Sequence, residues 1–212
     1  MTPKESLIAG FRRFKQDSYP AHVAAYRRLS SGQRPRTMIV ACSDSRVDPA
    51  AIFSAGPGEL FVVRNVANLV PPFAADRMHH GTSAALEFAV TALKVEQIVV
   101  MGHGQCGGIQ ACLAAASGPA PSYFVGQWVE IAAPARDAVI AAHPGASPPE
   151  QQLELEMESI RRSLAHLESF PFVREAVASR GMALDGAWFA IAEGDLHWLD
   201  RASGRFELIA AG

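Results

Sequence analysis

The chain has 212 residues, of which 49% are hydrophobic and 19% charged, and its formal net charge is −2. This length and composition predict one globular domain spanning residues 1–212. The near-neutral charge argues against a nucleic-acid partner or an anionic membrane surface, and the longest apolar runs are too short to cross a bilayer. The amino terminus lacks the apolar segment of a signal peptide, so a cytoplasmic location is expected.

The first predicted elements are two helices at the amino end. Residues 2–5 combine a capping Thr, a Pro at the first helical position and a Glu at the third, which is a helix-start signal. Apolar residues follow at helical spacing from Leu7 to Phe14, and Tyr19-Pro20 is expected to break the pattern before a second helix over 21–29. Because both helices precede the first strand, they can pack on their own subunit or reach over a partner.

Buried strands and amphipathic helices then alternate along the chain. Short apolar runs predict strands over 37–41, 60–63 and 96–101, a helix is predicted over 82–93, and a glycine-rich turn opens another near Gly107. This alternation predicts an α/β fold with a mostly parallel central sheet flanked by helices. Functional sites in such sheets lie beyond the carboxyl ends of the strands.

The carboxyl-terminal third is predicted to contain a long helix and then a hairpin. A second capping box at 147–150 starts the helix, and residues 117–147 before it indicate one helix with loose flanks. Residues 188–192 and 196–199 predict two strands joined at 193–195, which add an antiparallel strand at the sheet edge. The apolar positions expected to face the core from the long helix are Leu153, Met157, Ile160, Leu164 and Leu167.

Two polar clusters fall where predicted strands end. Cys42, Asp44 and Arg46 follow the first strand, and alternate side chains of an extended chain point to the same side. His103 and Cys106 follow the third strand, three residues apart in a glycine-rich turn, a spacing that can chelate one metal. Three cysteines are too few for a disulfide framework, so cysteines beside a histidine point to a metal or to catalysis.

Cys42, His103 and Cys106 are therefore the predicted ligands of one zinc ion. A Cys₂His set leaves the fourth tetrahedral position open, which is typical of catalytic zinc, and soft thiolates favour zinc over magnesium or calcium. Zinc in an open site lowers the pKa of its bound water to about 7 and so generates hydroxide at neutral pH. Asp44, held ionised by a bidentate Arg46, is predicted to accept a hydrogen bond from that hydroxide and to orient it.

The two clusters resemble the signature motifs of the β-class carbonic anhydrases. The motifs are Cys-Ser-Asp-Ser-Arg-Val at 42–47 and His-Gly-Gln-Cys-Gly-Gly at 103–108, and the segment 64–72 between them is also similar to the family. The similarity runs from about residue 33 to residue 112 and returns near the carboxyl end. It implies an enzyme with one Zn²⁺ per subunit that converts CO₂ reversibly to bicarbonate and a proton, by attack of zinc-bound hydroxide on CO₂.

The same resemblance implies further site residues. Gln33 matches a family glutamine that hydrogen-bonds the substrate oxygen, usually from the partner subunit. Phe61 and Val66 match apolar residues that line the CO₂ pocket, although plain core positions would explain both. The backbone N–H of Gly107 is expected to contact the bound anion. Phe88 is a departure, because the open-site subtype often has a tyrosine at that position near the pocket.

The subtype and the assembly are also implied by the resemblance. One subtype keeps an exchangeable water on zinc, whereas in the other, closed form Asp44 would be a fourth zinc ligand. Ile39 and Ala41 stand where the closed subtype carries Trp and Gly, so the open, plant-like subtype is expected. Family members are homodimers or multiples of dimers whose amino-terminal helices wrap the neighbour, so residues 1–30 are expected to form a helical arm over a partner.

Two other functions are compatible with these residues. The same site with a different pocket mouth would act on a small carbon–sulfur compound. A closed zinc or thiol site would act as a sensor and would have no use for the pair Asp44 and Arg46. His79 and His80 are either exposed loop residues or candidates for a proton relay. Cys112 lies in an apolar helix and is predicted to be a core residue.

Overall fold

A six-stranded sheet with flanking helices forms the centre of the fold in the computed structural model, which describes residues 1–76, 78–118 and 122–210. The strands are β1 (Thr37–Cys42), β2 (Leu60–Asn65), β3 (Gln97–His103), β4 (Ala183–Ala190), β5 (Asp195–Asp200) and β6 (Arg205–Leu208). The α-helices are α1 (Pro3–Arg13), α2 (Tyr19–Leu29), α3 (Pro49–Ile52), α4 (Gly81–Glu87), α5 (Gly107–Ala114), α6 (Val125–Val129), α7 (Ala133–Ala142), α8 (Pro148–Leu167) and α9 (Pro171–Arg180).

The strand order β2-β1-β3-β4-β5-β6 confirms the predicted fold class. Strands β2, β1, β3 and β4 pair in parallel, whereas β5 and β6 add antiparallel pairs at the carboxyl-terminal edge. From β1 the chain passes to β2 at one edge and then returns past β1 to β3. The crevice above the carboxyl ends of β1 and β3 is therefore a topological switch point, where α/β sheets bind ligands. Cys42 ends β1 and His103 ends β3, so the two predicted clusters meet at this crevice.

Helix α8 packs across β3 and β4 through Ile160, which is fully buried. The two strands make room for this side chain with glycines. A Cβ atom added at Gly102 of β3 or at Gly186 of β4 would lie 2.8 Å from the Ile160 side chain. Ile160 therefore occupies a closely enclosed site between the helix and the parallel part of the sheet.

The Ile160→Ala variant is expected to lose about 2–5 kcal/mol of unfolding free energy, because the enclosed site cannot collapse around the missing atoms. Urea denaturation followed by circular dichroism measures this loss. Leu153→Ala on the same helix is the matched control, because Leu153 is 39% exposed, and its expected loss is below about 1 kcal/mol. Equal losses for the two variants would contradict the assigned packing of α8.

The prediction that Leu153 faces the core is wrong. Helix α8 buries Leu155 instead, together with Ile160, Leu164 and Leu167. The apolar pattern admits both Leu153 and Leu155, and only the contact with the sheet decides between them. The capping box that starts α8 is present as predicted, with Ser147 and Glu150 bonded reciprocally.

Two further predictions about the elements need correction, and one strand was not predicted. Tyr19-Pro20 does not separate the amino-terminal helices, because the π-helical segment Phe14–Ser18 joins α1 to α2. Pro20 lies in the first turn of α2, where its missing N–H removes no helical hydrogen bond. Residues 117–147 contain two helices, α6 and α7, in place of one, and residues 119–121 lie outside the described part of the chain. Strand β6 has no counterpart among the predicted elements.

The amino-terminal helices contribute little to the core of their own chain. Neither α1 nor α2 contains a buried residue, although the capping box at Thr2 forms as predicted. Leu7 is 76% exposed and Phe11 is 63% exposed, so α1 presents an apolar face to solvent. Over the described residues, no helix combines the length and the apolar character needed to cross a membrane.

Candidate metal centre

The side chains of Cys42, His103 and Cys106 converge at the switch-point crevice. Their ligand atoms all lie within 4.8 Å of one another, and the two Sγ atoms are 3.9 Å apart. Two zinc–sulfur bonds of about 2.3 Å at a tetrahedral angle place the sulfurs about 3.8 Å apart, so the observed spacing suits one zinc ion. All three residues are buried, with at most 5% of each exposed.

His103 presents one ring nitrogen to this cluster. Its Nδ1 lies 2.9 Å from the carbonyl oxygen of Gly104. Because a carbonyl can only accept, Nδ1 carries the proton and Nε2 keeps its lone pair. Nε2 is buried without a hydrogen-bond partner among the described residues, which a metal ion would explain. Burial lowers the pKa of His103, but the interactions with Cys42 and Gly104 outweigh it and raise the pKa overall.

Backbone N–H groups surround both sulfurs. The backbone N–H groups of Ala67 and Asp44 donate to the Cys42 sulfur. Ala67 has a left-handed φ of 64°, which is uncommon for a residue with a Cβ. Cys106 is the N-cap of α5, and the N–H groups of Gly108 and Ile109 donate to its sulfur. The loop and the helix start therefore provide donors that stabilise negative sulfur.

The two thiols share a proton. The hydrogen bond from Cys106 lowers the pKa of Cys42 to about 4 against the opposing effect of burial. The same hydrogen bond, together with burial and the Cys42 charge, raises the pKa of Cys106 well above its usual range. The pairing lowers the pKa of Cys42 and so favours the thiolate, which is the form that binds zinc.

Asp44 and Arg46 form a bidentate pair beside the cluster. Arg46 donates from Nε to Oδ1 at 2.9 Å and from Nη2 to Oδ2 at 2.7 Å, and its backbone N–H donates to Oδ1 at 2.9 Å. Asp44 Oδ2 lies 3.8 Å from His103 Nε2. The hydrogen bond from Arg46 holds the pKa of Asp44 well below its usual range. Asp44 is therefore an ionised acceptor that lies beside His103.

Arg64 shapes the loop that carries this pair, and the sequence predictions assign it no role. Its guanidinium donates to the carbonyl oxygens of Cys42 at 2.8 Å, Asp44 at 2.6 Å and Val47 at 3.0 Å. Arg46 also donates to the carbonyl oxygen of Gln105 at 3.1 Å, which ties this loop to the turn between β3 and α5. The two clusters are thus joined by arginine–backbone contacts that span long sequence separations.

Two of the residues implied by the resemblance lie beside the cluster. A Cβ atom added at Gly108 would lie 2.7 Å from the Val66 side chain, so Val66 packs against the start of α5. Val66 is 36% exposed, so part of its side chain is accessible to solvent. Gly107 is the first residue of α5 and is exposed, with nothing within 4 Å of where a Cβ would stand. Both positions suit contact with a small ligand, and their roles stay predictions.

Gln33, Phe61 and Phe88 lie away from the cluster of the same chain. Gln33 is exposed and precedes β1, whereas Cys42 ends this strand, which spans roughly 16 Å at about 3.3 Å per residue. Phe61 pairs in register with Met38 near the amino end of β1, and its ring lies 6.0 Å from that of Phe88. Phe88 is 49% exposed. Their assignment to the substrate pocket stays a prediction.

A cavity of about 640 Å³ opens beside Val66. Its wall includes His79, His80 and Trp128, whose Nε1 donates to the Val66 carbonyl oxygen at 2.7 Å. His80 Nε2 lies 2.6 Å from Asp76 Oδ1, a contact that lowers the pKa of Asp76. The two histidines therefore line a cavity that reaches a predicted pocket residue, and a proton-relay role for them stays a prediction.

Comparison with known proteins agrees with this site and fold. The sequence model of the carbonic anhydrase family matches residues 37–196. Beta carbonic anhydrase 3 of Arabidopsis thaliana is 38% identical over 200 residues, which cover 92% of this chain and 77% of that protein. The β-carbonic anhydrase CcaA superposes with a TM-score of 0.92 at 31% identity, covering 98% of this chain and 100% of that one.

A tetrameric β-carbonic anhydrase from Sordaria macrospora superposes with a TM-score of 0.71 at 28% identity, covering 92% of this chain and 93% of that chain. The sequence match alone extends over most of the chain, including both strand-end motifs. The structural matches add the same arrangement of the sheet and helices. The chain therefore belongs to the carbonic anhydrase family, in its β class, and is an enzyme.

Proposed function

We propose that this chain hydrates CO₂ reversibly to bicarbonate and a proton, with one Zn²⁺ per subunit held by Cys42, His103 and Cys106. The observation that carries this proposal is the convergence of three buried soft ligands next to the ionised Asp44. When bound in a site with an open position, zinc supplies a Lewis acid that makes water nucleophilic near neutral pH. The sensor alternative gives no reason for the pair that Asp44 forms with Arg46.

Asp44 is proposed to orient the attacking water. A carboxylate offers about four lone-pair positions, and Arg46 occupies three of them. The remaining capacity can accept a hydrogen bond from water, which fixes the water's hydrogen and turns its lone pair toward CO₂. Arg46 holds Asp44 in the ionised state and is itself fixed by the Gln105 carbonyl.

The open subtype, in which Asp44 is not a zinc ligand, is proposed because hydrogen bonds hold Asp44 and its loop in place. Coordination of Asp44 to zinc would require the carboxylate to leave three charge-assisted hydrogen bonds from Arg46. The loop is also held by Arg64 through three backbone carbonyls, which opposes a rotation of residues 42–47. Both contacts support a resting arrangement in which Asp44 is a hydrogen-bond acceptor and the fourth position stays open to water.

The substrate pocket is proposed to form between two subunits. Val66 and Gly107 lie next to the cluster of their own chain, whereas Gln33 and Phe61 lie near the amino end of β1, opposite the end that carries Cys42, and Phe88 contacts Phe61. We infer that Gln33 hydrogen-bonds the substrate at the neighbour's site, and that the half-buried Phe61 and the exposed Phe88 supply apolar surface to the same interface. Apolar walls suit CO₂, which is small and carries no charge.

A homodimer, or a multiple of dimers, is proposed as the working assembly. The first 30 residues carry six basic and two acidic side chains, whereas the remainder carries 13 basic and 19 acidic ones. A basic arm with an exposed apolar face is complementary to the acidic body of a second copy. The Sordaria macrospora protein that this chain resembles is tetrameric. Single-domain organisation over 1–212 and a cytoplasmic location stay predictions.

The Phe11→Glu variant is expected to shift the assembly toward monomer, because it places a charge in the apolar face of the arm. Sedimentation velocity across a concentration series measures the shift. Ser6→Glu on the same helix adds the same charge at an exposed polar position, so it should leave the assembly unchanged. A Phe11→Glu protein that sediments like the wild type would rule out the arm as a dimer contact.

A further inference from the structure

A buried carboxylate lies directly behind the metal-binding turn. Glu156 of α8 is only 3% exposed. Its Oε1 accepts hydrogen bonds from the backbone N–H of Cys106 at 2.9 Å and from Nε2 of Gln152 at 3.0 Å. Its Oε2 accepts from Nε1 of Trp188 at 3.2 Å. Glu156 therefore joins α8 and β4 to the backbone of a metal ligand.

The three hydrogen-bond donors around Glu156 are all neutral. Both oxygens of Glu156 act only as acceptors of these hydrogen bonds, which is the arrangement of an ionised carboxylate. A buried carboxylate usually requires a cation nearby. A dication held by Cys106 and His103 would provide that opposite charge, because Glu156 is hydrogen-bonded to the backbone of Cys106.

Glu156 would also stabilise the amino end of α5 in a protein without a metal. Cys106 is the N-cap of α5, and an acidic group at a helix amino end is favourable in any protein. Here, however, the N–H that Glu156 binds belongs to the ligand residue itself, while the N–H groups of Gly108 and Ile109 donate to its sulfur. Separate contacts thus hold the backbone and the sulfur of Cys106.

We propose that Glu156 is a positioning residue of the metal site, which fixes Cys106 where its thiolate meets His103 and Cys42 and thereby sets the strength of metal binding. This inference rests on the proposed zinc site. Partners that orient metal ligands typically change metal affinity by about 10- to 100-fold when removed. Glu156 differs from the usual partner in acting on the backbone of a cysteine ligand.

The Glu156→Gln variant tests this role because it keeps the side-chain shape but removes the charge. The NH₂ group of the introduced glutamine must also face at least one of the three N–H donors around residue 156, and it cannot accept a hydrogen bond from that donor. Zinc affinity, measured by competition with a chelator at fixed pH, is expected to fall about 10- to 100-fold. The cobalt-loaded variant should show a weaker or shifted sulfur-to-cobalt charge-transfer band. Glu158→Gln is the matched control, because Glu158 is partly exposed and pairs with Arg161 at 3.1 Å, and its zinc affinity should equal that of the wild type.

Two outcomes separate the inference from the proposed function. A Glu156→Gln protein with lower thermal stability but wild-type zinc affinity and cobalt spectrum would overturn the inference. That result would show that Glu156 only stabilises the amino end of α5. A wild-type protein that binds no zinc would contradict the proposed function first. Where Glu156→Gln does not fold, Gln152→Met decides, because Gln152 is only partly buried and the change removes its donor to Oε1 while keeping a side chain of similar size. A severalfold loss of zinc affinity is expected for Gln152→Met, and an unchanged affinity would overturn the inference.

Discussion

Cys42→Ser is expected to lose its zinc and at least about 10³-fold of the CO₂ hydration rate, because water without the metal keeps its ordinary high pKa. A serine hydroxyl is neutral at physiological pH and is a poor ligand for zinc, whereas the pKa of Cys42 is lowered to about 4. The remaining ligands, His103 and Cys106, do not complete a stable site by themselves. Stopped-flow hydration with a pH indicator gives the rate, and elemental analysis of the same sample gives the zinc content.

Cys112→Ser is the matched control for this loss. Cys112 is buried in α5, outside the cluster, and burial raises the pKa of its thiol to about 11. This variant should keep its zinc and its rate, with a modest loss of stability from placing a hydroxyl in the core. Normal hydration by a zinc-free Cys42→Ser protein would refute the assignment of Cys42 as a ligand required for catalysis.

Asp44→Asn is expected to keep zinc but to lose about 10²- to 10³-fold in kcat, a loss typical of a removed proton-handling group. The substitution preserves the shape of the side chain and leaves all three ligands in place. It replaces one acceptor oxygen by an NH₂ donor and breaks the charge pair with Arg46. Because Arg46 holds the pKa of Asp44 far below its usual range, Asp44 stays ionised at neutral and alkaline pH. The loss should therefore be the same at every pH in that range.

Asp48→Asn is the control for this variant. Asp48 follows the same loop and caps α3 by accepting from the Ala51 N–H at 3.1 Å. It also pairs with Arg64 at 3.3 Å, but Arg64 keeps its three backbone carbonyl partners without it, and Asp48 has no proposed role in catalysis. Its substitution should leave kcat unchanged and cost at most about 1 kcal/mol of stability. An Asp44→Asn protein with wild-type turnover would show that Asp44 does not orient the attacking water. Loss of zinc from this variant would instead indicate that Asp44 is a metal ligand, as in the closed subtype.

The central part of the site could be predicted from the sequence because its residues follow two strands. Cys42 ends β1 and His103 ends β3, and neighbouring parallel strands bring their carboxyl ends together. The expected alternation of an extended chain through Arg46 is wrong, because β1 ends at Cys42 and the chain then turns, with the Val47 N–H donating to the Asp44 carbonyl oxygen at 3.2 Å. Asp44 and Arg46 meet within this turn, so the sequence predicts their pairing but not the backbone that produces it.

Contacts between distant elements could not be predicted in this way. Arg64 reaches a carbonyl 22 residues earlier, and Glu156 reaches an N–H 50 residues earlier. A partial signal for Glu156 exists, because residues 156, 160, 163 and 167 share one face of α8, and an acidic side chain on a buried face is unusual. The proposed pocket role of Gln33 depends on a second subunit, so the pattern of a single chain does not determine it.

Zinc content and CO₂ hydration rate, determined on one sample of the wild-type protein before and after chelation, test the proposed function most directly. The proposal predicts one zinc per chain, a rate that falls in proportion as zinc is removed, and recovery when zinc is returned. Full hydration activity in zinc-free protein, or one zinc per chain without any CO₂ hydration, would contradict it.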